Sequence, residues 1–149
     1  MLTLQQTNSS NPDFRDLVIQ LDKDLAIRDG EEHSFYHQFN AITHLNHVIV
    51  ASLNGEAAGC GAFKEYAPGT VEIKRMFVSA EHRGKGIALL VLKNLEQWAA
   101  SLNYKTCILE TGKKQPEAIS LYLKAGYLII PNYGQYKDAQ NSICMLKTI

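Results

Sequence analysis

"VEIKRMFVSAEHRGKGIALLVL", residues 71–92, runs from a β-rich segment through a basic, glycine-rich turn into the strongest apolar run of the chain. At its start Val71 and Ile73 alternate with polar neighbours, the period-2 pattern of a strand. The next apolar residues are Met76, Phe77 and Val78, so the alternation slips by one residue near Lys74 and Arg75. Two readings account for the slip: a β-bulge, which inserts one extra residue, or a central strand that turns apolar on both faces. Beyond the turn, Ile87, Val91, Leu95, Trp98 and Leu102 step by four and three, as on one face of a helix. "YKTCILE", residues 104–110, is strand-like again. Strand, helix and strand in that order form a β-α-β unit, hence a parallel pair joined by a right-handed crossover.

The turn itself is unusual. Glycine weakens a helix interior, and basic residues sit poorly at a helix N-terminus, where the macrodipole is already positive. Gly84 and Gly86 would let a ligand approach the unpaired amides of that terminus, and Arg83 and Lys85 add positive charge. The arrangement suits a phosphate or pyrophosphate, which Arg83 can hydrogen-bond in a fork. The competing reading is a plain strand-to-helix turn with solvated charges. Neither G-x-x-x-x-G-K-[ST] nor G-x-G-x-x-G is present.

Outward from this unit, residues 2–7 could form a first strand. Asn11 and Pro12 read as an N-cap and first helical residue, followed by Phe14, Leu17, Val18, Leu21 and Leu25 at helical spacing. Residues 31–40, "EEHSFYHQFN", predict a second, shorter helix. Two β-rich runs flank Asn54-Gly55, a hairpin signal because both residues tolerate positive φ. After residue 110 come a helix, "QPEAISLYLKAGY", and two last strands, "YLII" and "NSICMLK". With no repeats or linkers, residues 1–149 read as one α/β domain.

The 149 residues carry 15 Lys+Arg and 15 Asp+Glu, a balance that argues against phosphate-backbone binding and hence against a nucleic-acid partner. Cys60, Cys107 and Cys144 are scattered in apolar contexts and read as buried free thiols rather than a disulfide framework or a zinc site. No signal peptide is expected at the N-terminus, and no apolar run reaches the roughly 20 residues of a membrane span. A cytoplasmic setting with no membrane partner is the expectation.

Arg83-x-x-Gly86-x-Ala88 resembles the R/Q-x-x-G-x-G/A signature of the GNAT superfamily of N-acetyltransferases, and it stands in the strand–turn–helix context of that signature. "AISLYLKAGY" resembles the family's next helix, and the order of strands is similar over essentially the whole chain. The resemblance implies a mixed central sheet of about six to seven strands with flanking helices and a parallel, splayed pair at strands 4 and 5. It implies acetyl-CoA as co-substrate and no metal, with the pyrophosphate on the amides of Gly84, Lys85, Gly86, Ile87 and Ala88 beside Arg83. Pantetheine would pair with Met76, Phe77 and Val78, and a backbone N–H there would stabilise charge on the thioester oxygen.

The implied reaction is direct attack by a primary amine, with a base to take a proton and an acid to supply one to the thiolate. Tyr122, four residues before Gly126, aligns with a tyrosine that often serves as the acid; otherwise it is core filling. Glu72 stands where some members carry a base, and Glu110 is a second candidate. Their bland readings are a solvent-facing strand residue and a strand-end residue bonding the following loop. Glu32, His33 and Tyr36, after the first helix, and Tyr133, before the last strand, lie where the family often lines its acceptor site. His33 and His37 are spaced i, i+4, but a third metal ligand does not suggest itself. The expected partner is a small-molecule amine, the expected assembly a monomer or homodimer. The competing function is a non-catalytic acyl-CoA sensor, which would need no acid at position 122.

Overall fold

The computed structural model describes residues 1–29 and 44–149. The second helical piece expected at residues 31–40 lies outside them, as do Glu32, His33, Tyr36 and His37.

Seven strands are present among the described residues: β1 (Leu2–Thr7), β2 (His47–Leu53), β3 (Glu56–Ala67), β4 (Thr70–Val78), β5 (Thr106–Gly112), β6 (Leu128–Ile130) and β7 (Ser142–Thr148). They form one sheet in the order β1-β2-β3-β4-β5-β7-β6, in which β4–β5 is the one parallel pair. Three helices flank it among the described residues: α1 (Pro12–Asp29), α2 (Ile87–Ser101) and α3 (Pro116–Lys124). The mixed sheet and its flanking helices are as expected.

α1 begins where the Phe14 N–H donates to Asn11 Oδ1 at 3.0 Å, a side-chain N-cap with proline at the first helical position. Its buried stripe of Phe14, Leu17, Val18 and Leu21 packs against Val48, Val50, Cys60, Ala62 and Phe77 on one face of the sheet. On the other face, Val91, Leu92 and Leu95 of α2 and Tyr122 of α3 pack against Ile49, Phe63, Val71, Ile73, Leu109 and Met145. α2 stops at Ser101, one residue short of the apolar stripe read from the sequence; Leu102 follows as its C-cap and is 44% exposed. Asn103, the residue after the C-cap, has positive φ, which terminates the helical path.

The slip in β4 is a bulge. Opposite β3 the register passes from Cys60↔Phe77 to Ala62↔Lys74, so an extra residue of β4 is accommodated, and Arg75 takes φ of 60°. Before the bulge Val71 and Ile73 face α2; after it Met76 and Val78 do, while Phe77 faces α1. Gly61 opposes the bulge, and a Cβ there would fall 2.5 Å from Met76 Sδ and 2.8 Å from Leu95 Cδ1.

The parallel seam is short. β4 and β5 pair at Thr70↔Thr106, Val71↔Cys107 and Glu72↔Ile108, and no further. β5 instead continues in register with β7 as far as Gly112↔Ser142. Residues 73–78 therefore diverge from β5, leaving the β5-facing edge of β4 without a strand partner.

Candidate active site

The divergence opens two adjoining cavities. The larger, about 300 Å³, is lined by Met76, Phe77 and Val78 of β4, by Arg83, Gly84, Gly86, Ile87 and Ala88 of the turn and α2, and by residues of α1 and α3. The smaller, about 90 Å³, lies toward the paired end of the seam and is lined by Glu72, Lys74 and Arg75 of β4, Glu110 and Thr111 of β5, and Tyr136. Leu21, Met76, Gln115, Ala118 and Tyr122 border both.

The turn is open and lined by glycine. A short 3₁₀ turn at Ala80–His82 leads into Gly84 and Gly86, whose φ values of 79° and 78° lie in the left-handed region that glycine adopts without strain. No atom lies within 4 Å of where a Cβ would stand on either, so the space above the backbone is open. Gly86 is the N-cap of α2, and it offers no side-chain cap; the first turn carries no acidic residue. The Leu90 N–H bonds back to Gly86 O at 3.2 Å, so the amides before it await another acceptor. Anionic oxygens satisfy such amides and meet the positive end of the helix dipole.

Arg83 does more than carry charge. Its Nε donates to Val78 O at 2.9 Å and its guanidinium lies 5.5 Å from the Phe77 ring centroid, tying the turn to the end of β4. Its Nη2 is 4.0 Å from Asp24 Oδ2 on α1, and the side chain stays 42% exposed. Lys85 is exposed and does not line the cleft. His82, which sequence reasoning passed over, is buried on the cleft wall with Nε2 3.4 Å from Glu56 Oε1.

Tyr122 is buried where the cavities meet, 5.8 Å from Tyr127 between ring centroids in an edge-on contact. Burial, and then the Glu110 carboxylate, push its phenol well above the usual tyrosine range, so it holds its proton at neutral pH.

Glu72 does not point to solvent, as the bland reading of a strand residue would have it; it is 3% exposed. The Tyr133 hydroxyl donates to its Oε2 at 2.6 Å, and Lys74 Nζ stands 3.7 Å from its Oε1. Tyr133 is itself wedged edge-on against Tyr66 and Tyr136, at 5.1 and 5.9 Å between ring centroids. Burial, then the negative charge of Glu72, hold the Tyr133 hydroxyl far above its ordinary range, so it remains a donor. Burial pushes the Lys74 ammonium down, opposed by Glu72. Glu72, Glu110 and Tyr122 thus come together around one cavity. Arg75, read from the sequence only as part of the slip, pairs with Asp22, which went unremarked: Arg75 Nη1 lies 2.9 Å from Asp22 Oδ1, and its side chain is 2% exposed.

Residues 11–127 match the acetyltransferase (GNAT) family. The chain belongs to that family. An uncharacterised N-acetyltransferase of Bacillus subtilis, YsnE, is 36% identical over 96 residues, which cover 63% of this chain and 64% of that protein. The aligned part is thus just under two thirds of the relative's length. A crystal structure from Klebsiella pneumoniae, provisionally assigned as an acyl-CoA N-acyltransferase, superposes with a TM-score of 0.83 at 27% identity, covering 99% of this chain and 97% of that one. A GNAT-family acetyltransferase from Elizabethkingia anophelis, solved with acetyl-CoA bound, shares the fold at a TM-score of 0.70 and 21% identity, covering 99% of this chain and 98% of that one.

Proposed function

We propose that this protein transfers the acetyl group of acetyl-CoA to a primary amine of a small molecule, working as a single domain over residues 1–149. The observation that carries the reading is the uncapped, glycine-lined N-terminus of α2 opening into the cleft between the diverging strands. The residues present fit acyl-CoA. The amides of Gly84, Gly86, Ile87 and Ala88 would hold the pyrophosphate, supported by Arg83 and by Lys85 at the rim. The free edge of β4 at Met76, Phe77 and Val78 would pair with the amide-bearing arm. A backbone N–H of that edge would stabilise charge developing on the thioester oxygen. The acetyl-CoA-bound relative of the same fold supports this choice of co-substrate.

Acetyl-CoA supplies an activated acetyl group. The chain's own groups handle the protons. Glu72 is our first choice of base, with Glu110 second; either takes the proton that the amine loses as its nitrogen bonds the acetyl carbon. Tyr122 supplies a proton to the sulfur as the C–S bond breaks. Its burial between the two cavities and its retained proton suit that role. Tyr133 holds the Glu72 carboxylate in place. Three buried, unpaired thiols suit a reducing cytoplasm, where we place the reaction. Among the described residues no helix is long and apolar enough to cross a membrane.

The test is a thiol-release assay of the purified chain with acetyl-CoA and a panel of amines. Amine-dependent release is expected. If acetyl-CoA raises the melting temperature but no amine provokes release, the non-catalytic sensor becomes the better reading.

A further inference from the structure

The small cavity next to Tyr122 carries charges of both signs. Glu72 and Glu110 supply two carboxylates, and Lys74 and Arg75 supply two cations, with Asp22 paired to Arg75 from outside the lining. Arg75 is the unusual member. It sits on the bulge with φ of 60°, is 6% exposed, and spends one nitrogen, Nη1, on Asp22. Its Nη2 is buried and has no hydrogen-bond partner among the described residues. A buried guanidinium N–H without an acceptor is costly, and a carboxylate relieves it in a strong, charge-assisted bond. Lys74 is the neighbouring cation, engaged with Glu72 at 3.7 Å.

Resting on the acetyl-transfer reading, we infer that this cavity takes a zwitterionic, amino-acid-like acceptor, its carboxylate on Arg75 beside Lys74 and its amino group on the Glu72–Glu110 side. A ligand with both charges suits a lining of both signs because its carboxylate meets the unpartnered Arg75 N–H and its amino group meets the carboxylates. A polyamine would bring cations to Arg75 and Lys74, and a peptide N-terminus or lysine side chain has no carboxylate close to its amine. Both meet a mismatch that rejects them. The volume of about 90 Å³ favours a compact acceptor. Group transfer then forms the N–C bond to the acetyl carbon and breaks C–S: the ammonium loses one proton to the carboxylate side before attack, Tyr122 protonates the departing thiolate, and the second proton shed by the acylated nitrogen restores the Tyr122 phenol.

The test compares L-amino acids with side chains from hydrogen to isobutyl against their own carboxamides, which replace the carboxylate by a neutral group of similar size, at equal concentrations of free amine. Thiol release should favour the acid by about 10- to 100-fold in kcat/KM, as for a charged hydrogen bond gained or lost. Equal rates, or preference for the carboxamide, a polyamine or a peptide N-terminus, overturn the inference. Arg75→Lys should cut the discrimination to a few-fold by raising KM for the amino acid, with KM for acetyl-CoA unchanged because Arg75 does not line the larger cleft. Asp22→Asn, which leaves the guanidinium in place, should keep the discrimination; losing it there overturns the assignment to Arg75. If the Arg75 variant does not fold, the acid–carboxamide comparison in the unaltered chain decides alone. Should no amine release thiol, transfer is what fails. The site is then read from the melting temperature of the CoA complex: a rise with the amino acid and none with its carboxamide upholds it, and no rise with either overturns it.

Discussion

β4 has two edges, and they behave differently. Along β3 it is paired from Thr70 to Val78, with the extra residue at the bulge absorbed opposite Gly61. Along β5 it is paired for three residues and then left open. The closed edge is stabilised as sheets ordinarily are, by a ladder and by apolar side chains on both faces. The open edge exposes backbone groups that would be costly in a sealed core. It is tolerable because a cleft runs beside it; in the proposed function a ligand completes the pairing. A bulge on the closed edge is what turns the strand away on the open one.

The sharpest way to break this contrast is at the mouth of the open edge. Gly86→Glu places a carboxylate at the proposed pyrophosphate site and a side chain at φ of 78°. It should abolish the melting-temperature rise given by acetyl-CoA; an unchanged rise removes the pyrophosphate from this turn. Gly86→Ala separates strain from charge, because a Cβ there meets no atom within 4 Å. That variant should lose about 1–2 kcal/mol of stability to the left-handed backbone and still respond to acetyl-CoA.

Next in size is Tyr122→Phe, which should lower turnover by roughly 10²-fold, about 2.7 kcal/mol in the barrier, with the fold intact. Near-normal turnover with an active acceptor returns Tyr122 to packing.

A substitution on the closed edge should act on both. In Gly61→Ala the new methyl presses on Met76 and Leu95, whose flexible ends can give way only in part. Denaturant unfolding should show a loss of about 1–3 kcal/mol, and acetyl-CoA should bind more weakly as the bulged strand moves. A stability loss with unchanged binding would uncouple the two edges. Far from the seam, Asn11→Ala removes the α1 N-cap and should cost about 1 kcal/mol without altering acetyl-CoA binding.

The side of the sheet beyond the open edge also has a pH signature. Tyr122, Tyr127, Tyr133 and Tyr136 are all held above the ordinary tyrosine value of 10.0, in each case first by burial. Their folded-state pKa values are raised, so the folded chain binds these protons more tightly than the unfolded one. The stability they contribute is therefore intact below pH 10.0, the unfolded value, and falls as pH rises beyond it. Melting temperatures across that range check the sign.

By itself the sequence determined what lies within one element or at one turn. The helical stripes, the hairpin at Asn54-Gly55, the α1 cap, the slipped phase of β4 and the glycine-lined start of α2 are contacts between residues near in the chain. Periodicity and backbone preference write such contacts directly. The tertiary structure alone decided between a bulge and a doubly buried strand, because that choice depends on the register opposite β3. It also brought Tyr133 to Glu72 across 61 residues and Asp22 to Arg75 across 53. Nothing in local spacing encodes those pairs; they follow from strand order, from the side of the sheet that α1 covers, and from how far β4 and β5 stay together. The glycine turn was therefore legible in the chain, and the charged lining of the smaller cavity became legible only once the strands had parted.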